Sequence, residues 1–305
     1  MATLSTPSPL RHTPGRRWRK ARSAIGGILF YALVGMLVFA LLAPFVWMII
    51  SSISPPTELA SKPIHWIPEH PTLDRYRALF FGARPGEIVP IAVSKFINAM
   101  KSSLIIATAT TLVCIITGTA AAYALIRLPV PKKEGFLFGM LAAQMMPIIV
   151  IIIPLYLMMQ RLVLNDTWQG MILLYSGFML PTVIWIMYGY FQTLPEELEE
   201  AAMIDGCSRV GALLRVVLPI SGPGLVAISA FAFLYTWNEF FMALIFTASR
   251  TKTIPVIVTE FSTQAGIDYG LMTTAGVIGS LPPLILAFLL QRYIVAGLTS
   301  GAVKG

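Results

Sequence analysis

The residues best equipped for specific chemistry stand together in Thr193-Leu194-Pro195-Glu196-Glu197-Leu198-Glu199-Glu200-Ala201-Ala202-Met203-Ile204-Asp205-Gly206, an acidic run with no basic residue inside it. An enzyme would need a constellation of residues that this chain does not offer. Its only histidines are His12, His65 and His70, outside the long apolar segments. Its cysteines, Cys114 and Cys207, lack metal-ligand spacing. No Gly-x-x-x-x-Gly-Lys followed by Ser or Thr occurs, so the usual phosphate cradle is missing. No catalytic and no metal site is expected. An acidic run without such a constellation is suited to recognising a surface. Surface helices on lipid normally carry Lys and Arg on the polar face, and this run has the opposite sign, so a protein partner fits better than anionic headgroups.

The elements that must present these residues can be read locally. Thr193 with Glu196 three residues later reads as a capping box, and Pro195 falls in the first turn, where its missing N–H is harmless. Asp205-Gly206 offers the left-handed residue that ends a short helix. Ser208 can cap a second helix with Val210, Leu213, Leu214 and Val217 on one face, and Leu218-Pro219 should stop it. The spacing predicts a helix-turn-helix finger between two apolar segments.

Glu200-Ala201-Ala202, then Asp205-Gly206, then Leu218-Pro219 with Pro223 beyond, resembles the EAA loop of permease subunits of binding-protein-dependent ABC importers. The resemblance departs at Cys207, where the family usually has Ala, and at Leu213, where Phe is frequent. Trp237-Asn238-Glu239-Phe240 and the end from Gln291 to Gly305 resemble the sugar-importing branch, in the manner of the maltose system's second permease. The implied fold is all-α and integral to the membrane, with six transmembrane helices in the type I ABC importer permease arrangement (MetI-like core). In that family the loop is a coupling helix docking into an ATPase, so Glu200, Ala201, Ala202, Asp205, Gly206, Leu218 and Pro219 are the expected coupling residues. The implied partners are a cytoplasmic ATPase dimer that carries ATP and Mg, a second permease completing a heterodimer, and an extracytoplasmic sugar-binding protein. No cofactor is expected on this chain itself.

Composition agrees with a membrane-embedded chain of 305 residues: 56% are hydrophobic, 12% charged, and the mean hydropathy is +0.77. The net charge of +8 then records topology and lipid contact and gives no reason to expect nucleic acid. Residues 1–24 read as a basic, irregular tail, 25–294 as the transmembrane domain, and 295–305 as a second tail. Within the domain, 54–94 reads as an external loop and 193–221 as the coupling loop. A first apolar run from about Ile25 to Ile53 is followed by five more, near 96–126, 136–159, 170–191, 222–246 and 271–294, each long enough for a layer of about 30 Å. Lys and Arg gather in the tails, 127–135 and 193–221, which places both termini and the finger in the cytoplasm of a prokaryotic plasma membrane. Pro147, Pro154, Pro181, Pro282 and Pro283 interrupt the runs. Such breaks suit a water-filled path, and they suit ordinary kinks equally well. Gly118, Gly276 and Gly279 read as packing sites.

Ionisable residues are scarce inside the runs. An organic anion would lack cationic partners there, so a neutral polyhydroxyl solute such as a maltose- or trehalose-type sugar fits better. Gln144, Tyr175, Tyr235, Trp237, Asn238 and Glu239 are the polar or aromatic candidates for its path. Each has a plainer use, since Asn and Gln tie helices together and Trp favours the interface. The alternatives are a permease for glycerol phosphate or a polyol, or an ion-coupled secondary transporter whose coupling acid would be Glu239.

Overall fold

The computed structural model describes residues 15–63, 65–84, 89–263 and 266–300, with side chains between 26 and 292. The first helix, α1 (Gly15–Ile53), starts inside the stretch expected as an irregular tail. Arg16 to Arg22 are good helix formers, and the apolar helix that follows supplies the nucleus they extend. Residues 1–14 lie outside the described residues. After one helical turn at Pro56–Leu59, a short α2 (Asp74–Phe81) leads into α3 (Ile91–Arg127). There follow α4 (Lys133–Gln144), α5 (Ile148–Arg161), α6 (Trp168–Phe191), α7 (Glu197–Ile204), α8 (Arg209–Ile220) and α9 (Gly222–Asn238). The chain closes with α10 (Phe241–Phe246), α11 (Ile254–Thr259), a two-residue hairpin pairing Ser262–Thr263 with Gly266–Ile267, and α12 (Tyr269–Ser300). Helix α12 runs past the expected boundary at 294, and residues 301–305 are outside the described residues.

Among the described residues four helices are long and apolar enough to cross a membrane, in α1, α3, α6 and α12, and up to six crossings result if each of two bent pairs counts as one. The expected run over 136–159 is α4 and α5 meeting at 92°. Pro147 stands at the break as the residue before α5, where its absent N–H breaks no ladder. The pair still joins the two ends of the bundle. Lys133 follows the end of α3 beside the finger, while Asp166, past α5, bonds to the segment after α10. The expected run over 222–246 also differs, because α9 stops at Asn238 and the chain is extended at Glu239 (φ −69°, ψ 123°) before α10 begins. Pro154, Pro181, Pro282 and Pro283 lie inside continuous helices.

Helices α3 and α6 pack along one another at the centre. A Cβ on Gly118 would sit 2.7 Å from Val183 Cγ1, so the two backbones approach only because that residue has no side chain. A buried cluster of Tyr123, Leu137, Val183, Met187, Phe191, Val217 and Ile228 fills the end nearest the finger. At the opposite end Leu79, Phe96, Ile257, Phe261 and Leu271 form another. Outward residues such as Leu33, Phe39, Leu112 and Phe288 are exposed, as befits surfaces that face lipid or another apolar chain.

Candidate functional site

The finger is built from α7, a turn and α8, but its entry differs from the expected capping box. Thr193 donates its hydroxyl back to the Tyr190 carbonyl at 2.7 Å, closing the end of α6. Glu196, already helical at φ −68° and ψ −27°, makes no capping bond, and its carboxylate reaches Arg127 at 2.8 Å. The pairing with Arg127 outcompeted the local cap. The turn follows the sequence reading. Gly206 has φ +89°, its N–H donates to Met203 O at 3.1 Å, and Cys207 N–H donates to Ala202 O at 3.0 Å, the two bonds of a Schellman motif. Ser208 caps α8 by accepting the Gly211 N–H at 3.1 Å.

Only half of the apolar face expected on α8 packs, since Val217 is buried and Leu213 lies against the same cluster while the other two residues stand out. Val210 and Leu214 are 64% and 58% exposed, whereas Ala212 and Val217 are buried. Residues Leu213–Val217 form a π turn in which the Leu218 N–H donates to Leu213 O, five residues back. Ala212 and Val217, five apart, therefore share a face, which the 3.6-residue period cannot anticipate. Leu218-Pro219 does not end this helix, which continues to Ile220 and turns by 81° into α9. The outer surface of the finger combines exposed Leu198, Ile204 (86%), Val210 and Leu214 with exposed Glu197, Glu200 and Asp205. Ala201, Gly206 and Pro219 are exposed too, while Ala202 and Leu218 are half-buried.

The root of the finger is fixed by residues the sequence did not single out. Arg127, last in α3, donates from Nε to Glu199 Oε1 at 2.7 Å, and Tyr123 donates to Glu199 Oε2 at 3.0 Å. A small polar cavity bounded by Arg127, Glu196, Glu199, Glu200 and Arg209 lies beside them. The available signal is an arginine closing a long apolar run in a chain with one acidic cluster, which the sequence alone reads as a topology marker.

The path candidates separate into three groups. Gln144 and Tyr235 border one cavity of about 240 Å³ with Phe178, Met179, Thr182 and Phe231. Gln144 donates to the Phe178 carbonyl at 2.6 Å and to Thr182 Oγ1 at 3.0 Å, so it pins the broken span to α6. Trp237 and Asn238 border a second cavity of about 330 Å³, beside Phe45, Gly279 and Pro283. Trp237 is itself buried, donating to the Gly279 carbonyl at 3.1 Å and stacking on Phe233, and Asn238 bonds back to Leu234 O at 2.8 Å. Tyr175 and Glu239 form a closed pair. The fully buried Tyr175 donates to Glu239 Oε2 at 2.7 Å, and the same carboxylate accepts the Met242 and Ala243 N–H groups at 2.8 and 3.0 Å. Glu239 thus satisfies the first turn of α10, where the backbone would otherwise be orphaned.

Two further charged anchors lie at the end away from the finger. Asp166 accepts N–H groups from Ala248 (2.9 Å), Ser249 (3.1 Å), Arg250 (3.1 Å) and Thr251 (3.0 Å), plus the Thr251 hydroxyl at 2.9 Å. Partial burial raises its pKa, but the bonds from Ala248, Thr251 and Arg250 outweigh this and hold the carboxyl below its ordinary value. Arg75 is buried and donates to the Ser54 carbonyl at 2.6 Å. Burial pulls its pKa down while the charge of Asp268 works the other way.

A bundle of membrane-length helices broken at two crossings, from which a tethered finger projects at one end, defines a membrane transport subunit. Residues 115–300 match the family described as binding-protein-dependent transport system inner membrane component. The sulfoquinovosyl glycerol transport system permease protein SmoH of Agrobacterium fabrum is 33% identical over 87% of this chain and 89% of its own. The trehalose transport system permease protein SugB of Mycobacterium tuberculosis is 34% identical over 90% of this chain and 97% of its own. A bacterial ABC transporter involved in import of the acidic polysaccharide alginate has the same fold, with a TM-score of 0.74 at 20% identity over 94% of this chain and 99% of that one. The chain belongs to the family of inner-membrane components of binding-protein-dependent transport systems, as a permease subunit of an ABC transporter.

Proposed function

We propose that this chain forms half of the translocation path of an ATP-driven importer for a neutral di- or oligosaccharide, of maltose or trehalose type. A second permease completes the path, a binding protein delivers the sugar from outside, and a cytoplasmic ATPase dimer, carrying ATP and Mg, docks on the finger. The termini and the finger lie on the cytoplasmic side of a prokaryotic inner membrane. The observation that carries this reading is the finger surface. Ile204, Val210 and Leu214 stand exposed beside Glu197, Glu200 and Asp205 at the tip of a well-capped helical hairpin. Exposed apolar side chains rimmed by charge mark a protein-docking site, and a rigid hairpin docks without an ordering penalty. The names of the relatives support a carbohydrate solute. The cavity beside Gln144 and Tyr235, at about 240 Å³, is smaller than the roughly 300–1,000 Å³ of sites that enclose a small ligand, which suits one wall of a path shared with a second subunit.

The ion-coupled alternative gains no support from the geometry, because both oxygens of Glu239 already accept hydrogen bonds. Co-expression of this chain with a second permease and an ATPase tests the proposal. Ile204→Asp should abolish retention of the ATPase on the membrane complex while leaving the permease inserted, and hydrolysis should be measurable only when the ATPase chain is present. Retention at the wild-type level would remove the docking assignment. A single cysteine at Glu197, with Cys114 and Cys207 replaced, should react with an impermeant reagent only after cells are opened; reaction in intact cells would reverse the orientation.

A further inference from the structure

Docking explains the tip of the finger but not its root. Arg127 and Glu199 hold their charges almost wholly out of solvent, with side chains 8% and 7% exposed and Nε 2.7 Å from Oε1. Around them, Tyr123 donates to the second Glu199 oxygen, Arg127 Nη1 reaches Glu196 at 2.8 Å, and Arg127 Nη2 reaches the Leu194 carbonyl at 3.4 Å. Arg209, in the first turn of α8, donates to the Arg127 carbonyl at 3.4 Å. Both arms of the finger are thereby fastened to the single residue that ends α3. Each charge also complements its own helix, since Arg127 sits at the carbonyl end of α3 and Glu199 in the first turn of α7.

A buried ion pair is weak evidence for stability, because apolar residues of similar volume often serve as well. Its distinctive property is orientation: a planar guanidinium holds carboxylates at fixed angles. We propose that Arg127 and Glu199 are positioning residues that form the joint through which displacement of the finger is delivered to α3. This rests on the reading of the finger as the ATPase-docking element. From Arg127 the connection is short. Helix α3 packs on α6 at Gly118 and Val183, and α6 carries Phe178, Met179 and Thr182, which line the cavity beside Gln144 and Tyr235. A shift at the root therefore moves the wall of the path through two packed helices, with the tip needing no bend of its own.

The test uses the complete complex with its second permease, ATPase and binding protein, with radiolabelled maltose and trehalose as probes. Wild type, Arg127→Met, Arg127→Lys and the double variant R127M/E199M are compared at matched complex abundance. Three quantities are read: ATPase retained, sugar uptake, and ATP hydrolysed per sugar. Arg127→Met should retain the ATPase, because Ile204, Val210 and Leu214 are untouched. Its uptake should fall about tenfold or more while hydrolysis persists, so ATP hydrolysed per sugar rises. Arg127→Lys keeps the charge but not the fork and should lose less. The double variant leaves no charge buried alone and should be more abundant than Arg127→Met, yet stay uncoupled. Three results would overturn the proposal: a wild-type ratio in Arg127→Met, loss of the ATPase from Arg127→Met with a normal ratio in the remaining complexes, or full coupling in the double variant. Failure of the docking reading is seen separately, as an Ile204→Asp complex that still holds its ATPase.

Discussion

The two ends of the bundle use charge in different ways. At the finger, charged side chains meet other charged side chains: Arg127 faces Glu196 and Glu199, with Tyr123 completing the set. At the opposite end Asp74 pairs with Arg84 and Lys252 with Glu260, but the charges that anchor the fold meet backbone. Asp166 takes N–H groups from Ala248, Ser249, Arg250 and Thr251, Arg75 gives to the Ser54 carbonyl, and Glu239 takes the N–H groups of Met242 and Ala243. A side chain bound to several consecutive backbone groups fixes the path of the chain, and it cannot be released without leaving those groups unpaired. An ion pair between side chains fixes how two elements sit while leaving each element's backbone intact. The distant end is stitched as a scaffold, and the finger is mounted as a rigid part held mainly by side chains.

Four substitutions could break or sharpen that contrast, taken from the largest expected effect downward. Gly206→Val should be the most damaging to function. Nothing crowds this position, so the cost is the backbone at φ +89°, about 1–2 kcal/mol for a residue with a side chain. The arms should tilt to relieve it, and if that strain opposes docking, sugar uptake should fall by about tenfold. Membrane abundance should stay near wild type, and a parallel fall in abundance would show that the finger, too, is scaffold.

Next comes Arg75→Met, which leaves the Ser54 carbonyl without its donor. Stability should drop by about 1–3 kcal/mol, read as a lower Tm in detergent, with ATP hydrolysed per sugar unchanged. A raised ratio would contradict a purely structural end. Asp166→Asn keeps one carbonyl acceptor and loses the charge, so about 1 kcal/mol is expected. Its pH dependence has a defined sign. The folded pKa is depressed, so the carboxylate's contribution is fully present above the ordinary value of about 3.9 and is lost as pH falls through the lower folded value. Wild type and Asp166→Asn should differ in Tm at pH 7 and converge below pH of about 4. Ser208→Ala removes only the cap of α8 and should cost about 0.5–1 kcal/mol, seen as faster local proteolysis at the turn.

The same contrast marks what was legible in the sequence. The turn could be read because its determinants are local: Gly206 supplies a left-handed residue and Ser208 an oxygen three residues before its donor. The capping box at Thr193 and Glu196 obeyed the same local rule and failed, since Arg127, far away in sequence, offered Glu196 a charged partner. No spacing rule could connect Arg127 with Glu199, or Asp166 with Thr251, because each pair meets only after whole helices have packed. Glu239 stands out as an acid in an apolar run, and the structure gives it the plainer of its uses, a structural one. Its neighbours Met242 and Ala243 need an acceptor at a helix break, and no Pro or Gly stands within 225–246 to mark that break. Gln144 likewise stands out for its polarity, and the structure uses that polarity to fasten a span broken at Pro147.

The π turn in α8 has a further consequence. An ordinary helix advances about 100° per residue, whereas the wider turn over Leu213–Val217 advances less and so takes up one residue more without rotating what lies beyond it. The finger and α9 therefore keep the facing that an ordinary helical turn would give them, with one residue stored as slack between them. Deleting a single residue from this turn should restore an ordinary turn and leave Ile204 and its acidic neighbours facing as before, whereas deleting a second should swing them about 100° around the helix axis. For a surface that must meet a partner, the segment Leu213–Val217 acts as a reading frame with one spare place.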